Sequence, residues 1–369
     1  MKVVIAPDKF KGSLDAKDAA GAIAQGISQA IPGADLDLCP VADGGEGTVA
    51  ALGGQLIERK VTGPLPEMKI PAQFSILGDG RTAVVEMSSA SGLRHLPIER
   101  RDPALTTTFG TGQLLMAAAE LGVRRIILGL GGSATIDGGI GCAQACGLPV
   151  LLENGEPTAM TEPLTGRDLE RVVLIKHGRG SAVERLEIEA ACDVDIPLYD
   201  APRHFGPQKG ATAEQVKWFE GQFRRLAERC GKTEIAALPG AGAAGGLGFA
   251  MAAFFGARLR SGFELVAETV GLQKRLKGAD LCITGEGRLD ADTLRGKAAI
   301  GVARLCREAG VPCVALVGGA GAGAERAIDE GLTAFFCIVD QPMSERQSME
   351  SAASLLTRTA ANVARLRLP

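Results

Sequence analysis

Short apolar runs near both ends of the chain predict buried β-strands, because uninterrupted runs are typical of parallel strands that are covered on both faces. They occupy residues 2–6, 36–41, 280–284, 312–317 and 334–339. After the first run, apolar residues recur at helical spacing at Ala20, Ile23 and Ile27, and Pro32 follows, which predicts an amphipathic helix. Strands that alternate with helices predict a doubly wound α/β domain with a parallel sheet. Two strands at the front and three at the back give that sheet five strands.

The middle of the chain follows a different pattern. Two strand-like runs, residues 70–76 and 82–87, flank Gly78 and Gly80, which indicates a β-hairpin and not a helical crossover. A length of 369 residues favours two domains. We therefore predict a discontinuous domain of residues 1–62 plus 271–369, interrupted by a second α/β domain with a mixed sheet at residues 63–270. We expect the catalytic cleft to lie between the two.

The longest glycine-rich motif, residues 129–141, follows an apolar run and leads into a predicted helix. Glycine allows positive φ and a close approach of the backbone to a ligand, and a helix N-terminus offers free N–H groups to a phosphate. The spacing matches neither a Walker A loop nor the dinucleotide fingerprint. A phosphate site and a tight packing turn both remain open. The candidate binding residues are Gly131, Gly132, Ser133, Thr135 and Asp137.

Charged residues follow the first two predicted strands. In doubly wound sheets, ligands bind beyond the carboxyl ends of the strands. Asp8, Lys9 and Lys11 follow the first strand, and Asp43 and Glu46 follow the second. A lysine here could meet a carboxylate or phosphate of a substrate. The alternatives are surface charge for the lysines and helix capping for the acidic pair.

Charged residues are also dense after the predicted strand at 280–284. They are Glu286, Arg288, Asp290, Asp292, Arg295 and Lys297. Glu286 and Asp290 are candidate Mg²⁺ ligands, because Mg²⁺ prefers carboxylate and phosphate oxygens. Arg288 and Lys297 could offset phosphate charge. The alternative is a solvated loop with weak local ion pairs.

Two further candidates lie in the middle of the chain. Asp193 ends a strand-like run and could act as a base or metal ligand, and Lys209 could contact a phosphate. The three histidines form neither a Ser/His/Asp order nor a metal-ligand spacing. These absences disfavour a hydrolase and a zinc enzyme.

Composition narrows the function classes. A net charge of −3 with one Trp and one Tyr does not favour nucleic-acid binding. Nine cysteines without a C-x-x-C motif predict reduced, buried thiols in a cytoplasmic protein. The uncharged stretch 235–257 is long enough to cross a bilayer, but it contains Pro239 and six glycines. We read it as a loop followed by a buried helix, and we expect no membrane segment.

The motifs together resemble the glycerate kinase family, specifically the bacterial type I enzymes. The motifs that carry the resemblance are 6–14 (APDKFKGSL), 40–48 (PVADGGEGT), 131–139 (GGSATIDGG), 205–211 (FGPQKGA), 238–248 (LPGAGAAGGLG) and 283–288 (ITGEGR) with Gly296 and Lys297. They span nearly the whole chain in family order. The chain departs from the family at Lys9, where Ser is usual, and at Ile136, where Asn is usual. The segment 194–205 is shorter than in relatives.

The resemblance implies a flavodoxin-like domain interrupted by a second α/β domain. It also implies transfer of the ATP γ-phosphoryl group to D-glycerate with Mg²⁺, with 2-phosphoglycerate favoured as product. Such a reaction needs alignment and charge offset more than covalent chemistry. The candidate catalytic residues are then Asp8, Lys11, Asp43, Glu46, Asp193, Glu286, Arg288 and Lys297.

In the division of roles that we expect, the Gly131–Ser133 turn binds phosphate and Lys11 holds the glycerate carboxylate. The metal and base roles are open among Asp43, Glu46, Glu286 and Asp290. Two other readings stay open: a kinase for another small hydroxy acid, which the shortened segment would accommodate, and a metabolite-binding regulator without turnover. A homo-oligomer is compatible with the sequence.

Overall fold

The computed structural model describes residues 1–369 apart from 154, 156, 159–161, 177–181, 292, 296 and 367–369, and for Glu184 and Arg295 it describes the backbone alone. Its strands are β1 (Lys2–Ile5), β2 (Asp35–Leu38), β3 (Gln55–Thr62), β4 (Lys69–Ile76), β5 (Thr82–Glu86), β6 (Arg125–Gly129), β7 (Val150–Leu152), β8 (Val172–Ile175), β9 (Glu187–Ala191), β10 (Arg258–Arg260), β11 (Leu281–Glu286), β12 (Cys313–Val317) and β13 (Ala334–Cys337).

Its α-helices are α1 (Ala16–Ala30), α2 (Thr48–Leu52), α3 (Met87–Ser91), α4 (Phe109–Glu120), α5 (Ile140–Ala145), α6 (Ala201–Phe205), α7 (Ala213–Arg229), α8 (Thr233–Ala236), α9 (Ala243–Phe255), α10 (Gly262–Val270), α11 (Leu272–Leu276), α12 (Ala298–Ala309), α13 (Glu345–Glu350) and α14 (Ala352–Arg365). Among the described residues, no helix is both long enough and apolar enough to span a bilayer.

The chain forms two compact units. Unit 1 comprises Met1–Asp43, Ala50–Leu52 and Phe263–Pro369, and unit 2 comprises Gly44–Val49 and Gly53–Gly262. Strand β3 thus lies in unit 2 and nearly all of α10 in unit 1. The sequence-based domain borders at 62/63 and 270/271 stay a prediction.

Unit 1 contains a five-stranded sheet in the order β13-β12-β11-β1-β2. Every neighbouring pair is parallel, which confirms the predicted parallel sheet. Numbered within the sheet from the N-terminus, the order is 2-1-3-4-5, the flavodoxin order. The chain winds to one side after β1 and to the other after β11, so the topological switch point lies between these two strands.

The apolar runs of unit 1 are buried because helices cover both faces of the sheet. Successive side chains of a strand point to opposite faces. Val3 and Ile5 of β1 pack in one cluster with residues of α1 and α14. Val4 packs in another cluster with residues of α10 and α12, such as Val302. This two-sided burial explains why the strands read as uninterrupted apolar runs.

Two details of the C-terminal part differ from the sequence-based expectation. The helix expected after the loop at 318–323 is only a short 3-10 turn, Ala324–Ala327. Cys337, expected to be a buried thiol, is exposed. The reason is its place at the end of β13, which is an edge strand with two exposed final residues.

Unit 2 contains a six-stranded mixed sheet in the order β10-β9-β6-β5-β4-β3. Strands β3, β4 and β5 are antiparallel neighbours, which confirms the predicted hairpin. Strands β5, β6, β9 and β10 are parallel. Helix α9 is almost wholly buried, so the uncharged stretch 235–257 includes a core helix, as expected. Strands β7 and β8 form a separate antiparallel pair.

Helices α1 and α14 pack closely at Gly26, which gives a matched test of the fold. A Cβ at Gly26 would lie 2.1 Å from the Thr357 carbonyl oxygen, whereas a Cβ at Gly21 of the same helix has no neighbour within 4 Å. We expect Gly21→Ala to raise the free energy of unfolding by about 0.5–1 kcal/mol, because alanine restricts the unfolded chain. Gly26→Ala gains the same term but overpacks the helix contact at a cost of about 1–3 kcal/mol. Urea unfolding of both variants measures the difference, and equal stabilisation by both would contradict this packing.

Candidate active site

The first group of candidate residues lies in unit 1, at the carboxyl ends of β1 and β11. The Asp8 N–H donates to the Gly285 carbonyl at 2.9 Å, and the Thr284 hydroxyl donates to the Ala6 carbonyl at 2.8 Å. A Cβ at Gly287 would lie 3.3 Å from the backbone nitrogen of Lys11. The loops that follow the two strands are therefore in direct contact at the switch point of the sheet.

Two carboxylates at this point are buried. Asp8 is 7% exposed and Glu286 is 8% exposed. Burial raises the pKa of Asp8 to about 6, against the lowering effect of Lys9. Burial likewise raises the pKa of Glu286 to about 8, with Lys297 lowering it and Asp8 raising it further. Within the described part of the chain, the Glu286 Oε1 atom is buried without a hydrogen-bond partner.

Cationic side chains lie beside these acids. The Lys9 Nζ atom is 3.4 Å from Asp43 Oδ1 and 3.9 Å from Asp8 Oδ1. Lys297 directly precedes α12, and its charge lowers the pKa of both Asp8 and Glu286. Unit 1 thus brings together three predicted acids and Lys297. Lys9 joins them.

The other predicted residues of unit 1 lie further out. Lys11 and Arg288 are exposed. The Arg288 Nε atom donates to Asp290 Oδ2 at 3.1 Å, and the Thr293 hydroxyl accepts from the Asp290 N–H at 3.2 Å. Asp292 and the side chain of Arg295 fall outside the described residues.

The donor set in unit 1 fits a hard divalent cation. Mg²⁺ binds carboxylate oxygens and keeps several waters. A buried, unpartnered carboxylate oxygen such as Glu286 Oε1 is costly unless a ligand or proton satisfies it. Among the described acids of unit 1, Glu286 could therefore hold such an ion through its Oε1 atom.

The glycine turn of unit 2 directly follows β6 and contacts a buried lysine. Gly132 has a φ of +76° and is exposed, and Ser133 is 7% exposed. The Lys209 Nζ atom donates to the Ser133 hydroxyl at 2.7 Å and to the Thr135 carbonyl at 2.8 Å. Lys209 is 2% exposed, and this burial lowers its pKa to about 7, against the raising effect of Asp137.

Asp137 and Thr135 are fully buried supports of this turn. The Asp137 carboxylate accepts hydrogen bonds from both the backbone and the hydroxyl of Thr108. It also accepts from the N–H groups of Gly139 and Gly141, at the start of α5. Asp137 therefore joins the first turns of α4 and α5, and burial raises its pKa. The binding role expected for Asp137 stays a prediction.

Two glycines of the turn are explained by packing within unit 2. A Cβ at Gly129 would lie 2.6 Å from the Gly44 carbonyl oxygen, and a Cβ at Gly131 would lie 2.6 Å from the Gly45 Cα atom. The loop that contains Glu46 therefore packs against the end of β6. Of the two alternatives left open by the sequence, the packing turn accounts for Gly129 and Gly131, and Gly132 is the exposed member.

Glu86 is a residue that the sequence analysis missed. It ends β5, is 7% exposed, and accepts hydrogen bonds from the N–H groups of Gly47 at 3.0 Å and Val49 at 2.8 Å. It thereby fixes the loop that carries Glu46. The sequence signal for Glu86 was its position as an acidic residue at the end of a mostly apolar run, 82–86. The end of a parallel strand lies at the edge of the sheet where ligands bind.

Two predicted acids of unit 2 contact other parts of the protein, one through an ion pair and one through a backbone hydrogen bond. Glu46 forms an ion pair with Arg94 at 2.9 Å, and both side chains are about half exposed. Asp193 is exposed, and its Oδ1 atom accepts a hydrogen bond from the Gly262 N–H at 3.0 Å. The catalytic roles expected for Glu46 and Asp193 stay predictions.

Comparisons with known proteins identify relatives along the whole chain. The sequence model of the glycerate kinase family matches residues 3–368. The glycerate kinase of Halalkalibacterium halodurans is 44% identical over 98% of this chain and 97% of its own length. The glycerate 2-kinase of Escherichia coli K12 is 40% identical over 99% of this chain and 97% of its own.

The fold is shared as well. The crystal structure of a candidate glycerate kinase 2 from Salmonella typhimurium LT2 superposes with a TM-score of 0.87 at 40% identity, covering 99% of this chain and 98% of that one. The family resemblance read from the motifs is thereby confirmed, and the chain belongs to the glycerate kinase family.

Proposed function

We propose that this protein transfers the γ-phosphoryl group of ATP to D-glycerate in a Mg²⁺-dependent reaction, with 2-phosphoglycerate as product. The observation that carries the proposal is the pair of buried carboxylates, Asp8 and Glu286, at the switch point of unit 1. Full-length similarity to glycerate kinases, one of them a glycerate 2-kinase, supports the substrate and the position of transfer.

In this proposal, Glu286 is the main protein ligand of Mg²⁺, and Asp290 is a second candidate. When bound, Mg²⁺ offsets the negative charge of the phosphate groups. Lys297 and Arg288 contribute further positive charge to the transferring group. The described contacts of Glu286 leave its Oε1 atom without a hydrogen-bond partner. This atom can therefore coordinate a cation without losing an existing hydrogen bond.

We assign the base role to Asp8. A general base works best when its pKa is close to the working pH, and the pKa of Asp8, about 6, is nearer to neutrality than that of an ordinary aspartate. Lys9 and Asp43 orient the carboxylate, since Lys9 lies within 4.0 Å of both acids. The exposed Lys11 is then available for the carboxylate of glycerate.

The glycine turn of unit 2 is assigned to a phosphate group of the substrates. Lys209 donates to the Ser133 oxygen, so the hydrogen of the Ser133 hydroxyl is left to point towards a ligand. The N–H of Gly132, an exposed residue, lies next to it in the chain. Burial makes a charged Lys209 ammonium costly, and an anion bound at this turn lowers that cost.

Acceptor specificity is tested directly by a coupled ADP-release assay with glycerate, tartronate and other small hydroxy acids. Turnover that is highest with D-glycerate is expected. Preference for another hydroxy acid would favour the alternative kinase, and ATP or glycerate binding without ADP release would favour a regulator. Product analysis by NMR separates 2-phosphoglycerate from 3-phosphoglycerate.

We expect Glu286→Gln to lower kcat by about 10²–10³-fold, the usual cost of removing one electrostatic contact to the reacting groups. Glutamine keeps the size but not the charge, so the required Mg²⁺ concentration should also rise. Asp280→Asn is the matched control, because Asp280 is an exposed acid at the other end of β11. Steady-state kinetics at several Mg²⁺ concentrations measures both effects, and normal turnover in Glu286→Gln would remove Glu286 from the mechanism.

The pH profile should reflect competition between protons and Mg²⁺ for Glu286. Since the pKa of Glu286 is raised to about 8, its carboxylate is protonated at neutral pH, and kcat/KM at low Mg²⁺ should rise with pH to a plateau above 8. A higher Mg²⁺ concentration should move this rising limb of the pH profile to lower pH, because the cation binds only the ionised form of Glu286. In Glu286→Gln the limb should be absent. A midpoint that does not depend on Mg²⁺ would contradict the assignment.

Lys209→Met should weaken phosphate binding and should abolish the proton uptake that accompanies it. Because the pKa of Lys209 is lowered to about 7, the amine is largely neutral at pH 8 and should take up a proton when an anion binds. Calorimetry at pH 8 in buffers of different ionisation enthalpy, with ADP, inorganic phosphate and glycerate in separate arms, measures this uptake. Lys217→Met, an exposed lysine of α7, is the control. Equal proton uptake in wild type and Lys209→Met would contradict the role.

A further inference from the structure

Three cysteine thiols meet in the core of unit 1, away from the carboxylate site. Cys282 of β11 and Cys313 of β12 are direct neighbours in the parallel register, and Cys306 comes from α12. Their three sulfur atoms all lie within 4.8 Å of one another, and all three residues are 0% exposed and free of disulfides. We call these residues the cysteine triad.

The surroundings of the cysteine triad are apolar. Val4, Val302 and Ala303 belong to the same buried cluster. Among the described residues, no fourth His, Cys, Asp or Glu joins the three sulfurs. Apolar surroundings make an uncompensated net charge at this site costly. A ligand of this site must therefore need three sulfurs and bring no net charge.

These requirements exclude the common structural metal. Zn²⁺ takes four ligands in structural sites, or three with a water in the open position. Zn²⁺ with three thiolates also carries a net charge of −1, and an unpaired charge in an apolar core is costly. Cu⁺ with three thiolates would carry a net charge of −2 and is disfavoured for the same reason.

Trivalent arsenic satisfies the requirements. Arsenous acid, As(OH)₃, is neutral near pH 7 and reacts with three thiols to give As(SR)₃ and three waters. Three As–O bonds break and three As–S bonds form, and each thiol proton leaves with one hydroxide as water. Arsenic remains in the trivalent state, so no oxidant or reductant is needed, and the product is neutral.

We propose that the cysteine triad is a binding site for a neutral, trivalent thiophilic element, with arsenous acid as its probe. Trivalent arsenic carries a lone pair, so its three bonds to sulfur form a pyramid, and bonds of about 2.3 Å hold the sulfurs about 3.5 Å apart. Sulfur atoms that already lie within 4.8 Å of one another need only small shifts to reach that arrangement. The proposal is independent of the kinase function.

The other cysteines provide the contrast. Cys142 and Cys146 are buried neighbours on α5 and its C-terminal end, but they offer only two sulfurs. Cys337 is exposed. Because a trivalent centre bound by two thiols keeps an exchangeable hydroxide, we expect these positions to lose arsenic during gel filtration and the cysteine triad to retain it.

The test is the arsenic content of the native, reduced, full-length protein after incubation with arsenite and gel filtration, measured by mass spectrometry. About one arsenic per chain is expected for the wild type and for Cys142→Ala, and less than about 0.2 for Cys306→Ala, since ligand count determines retention. Circular dichroism checks that both variants are folded. Equal retention by Cys306→Ala, or no retention by the wild type, overturns the proposal.

A second measurement needs no variant. Arsenic K-edge absorption of the wild-type complex should show three sulfur neighbours and no oxygen neighbour. One or more oxygen neighbours would place the arsenic at a two-thiol position and overturn the proposal. Competition with Zn²⁺ completes the test: Zn²⁺ in tenfold excess should not displace arsenic, and displacement would contradict the charge argument.

Discussion

The parallel pairing of β1 with β11 is the constraint on which the candidate active site depends. It brings two strand ends that are 278 residues apart in sequence to one edge of a sheet, where the Thr284 hydroxyl bonds to the Ala6 carbonyl. The loops beyond these ends carry Asp8 and Glu286. Covering helices and contacting loops bury both carboxylates, and burial raises the pKa of each. Topology thus determines the acid–base properties of the site.

The sequence predicted the strands of unit 1 well because two-sided burial leaves a strong apolar signal. It also predicted which loops carry the charged residues, since parallel strands point their carboxyl ends to one edge. It could not predict that Asp8 and Glu286 are buried while Lys11 and Arg288 are exposed. That difference depends on which loops contact each other, and the contacts come from distant parts of the chain.

The glycine turn shows a second limit of sequence reasoning. Close approach of a ligand and close approach of another backbone segment both require the absence of a Cβ, so they leave the same signal. In unit 2, the loop at Gly44 and Gly45 accounts for Gly129 and Gly131. Glu86 could be noticed as an acid at the end of a strand, but its partners, the N–H groups of Gly47 and Val49, leave no side-chain pattern in the sequence.

The two units contain buried ionisable groups of opposite kind. In unit 1, burial favours the protonated, neutral form of Glu286, and the proposed binding of a cation would release that proton. In unit 2, burial favours the deprotonated, neutral form of Lys209, and the proposed binding of an anion would take up a proton. In each unit, a shift towards the neutral form lowers the cost of keeping the group buried.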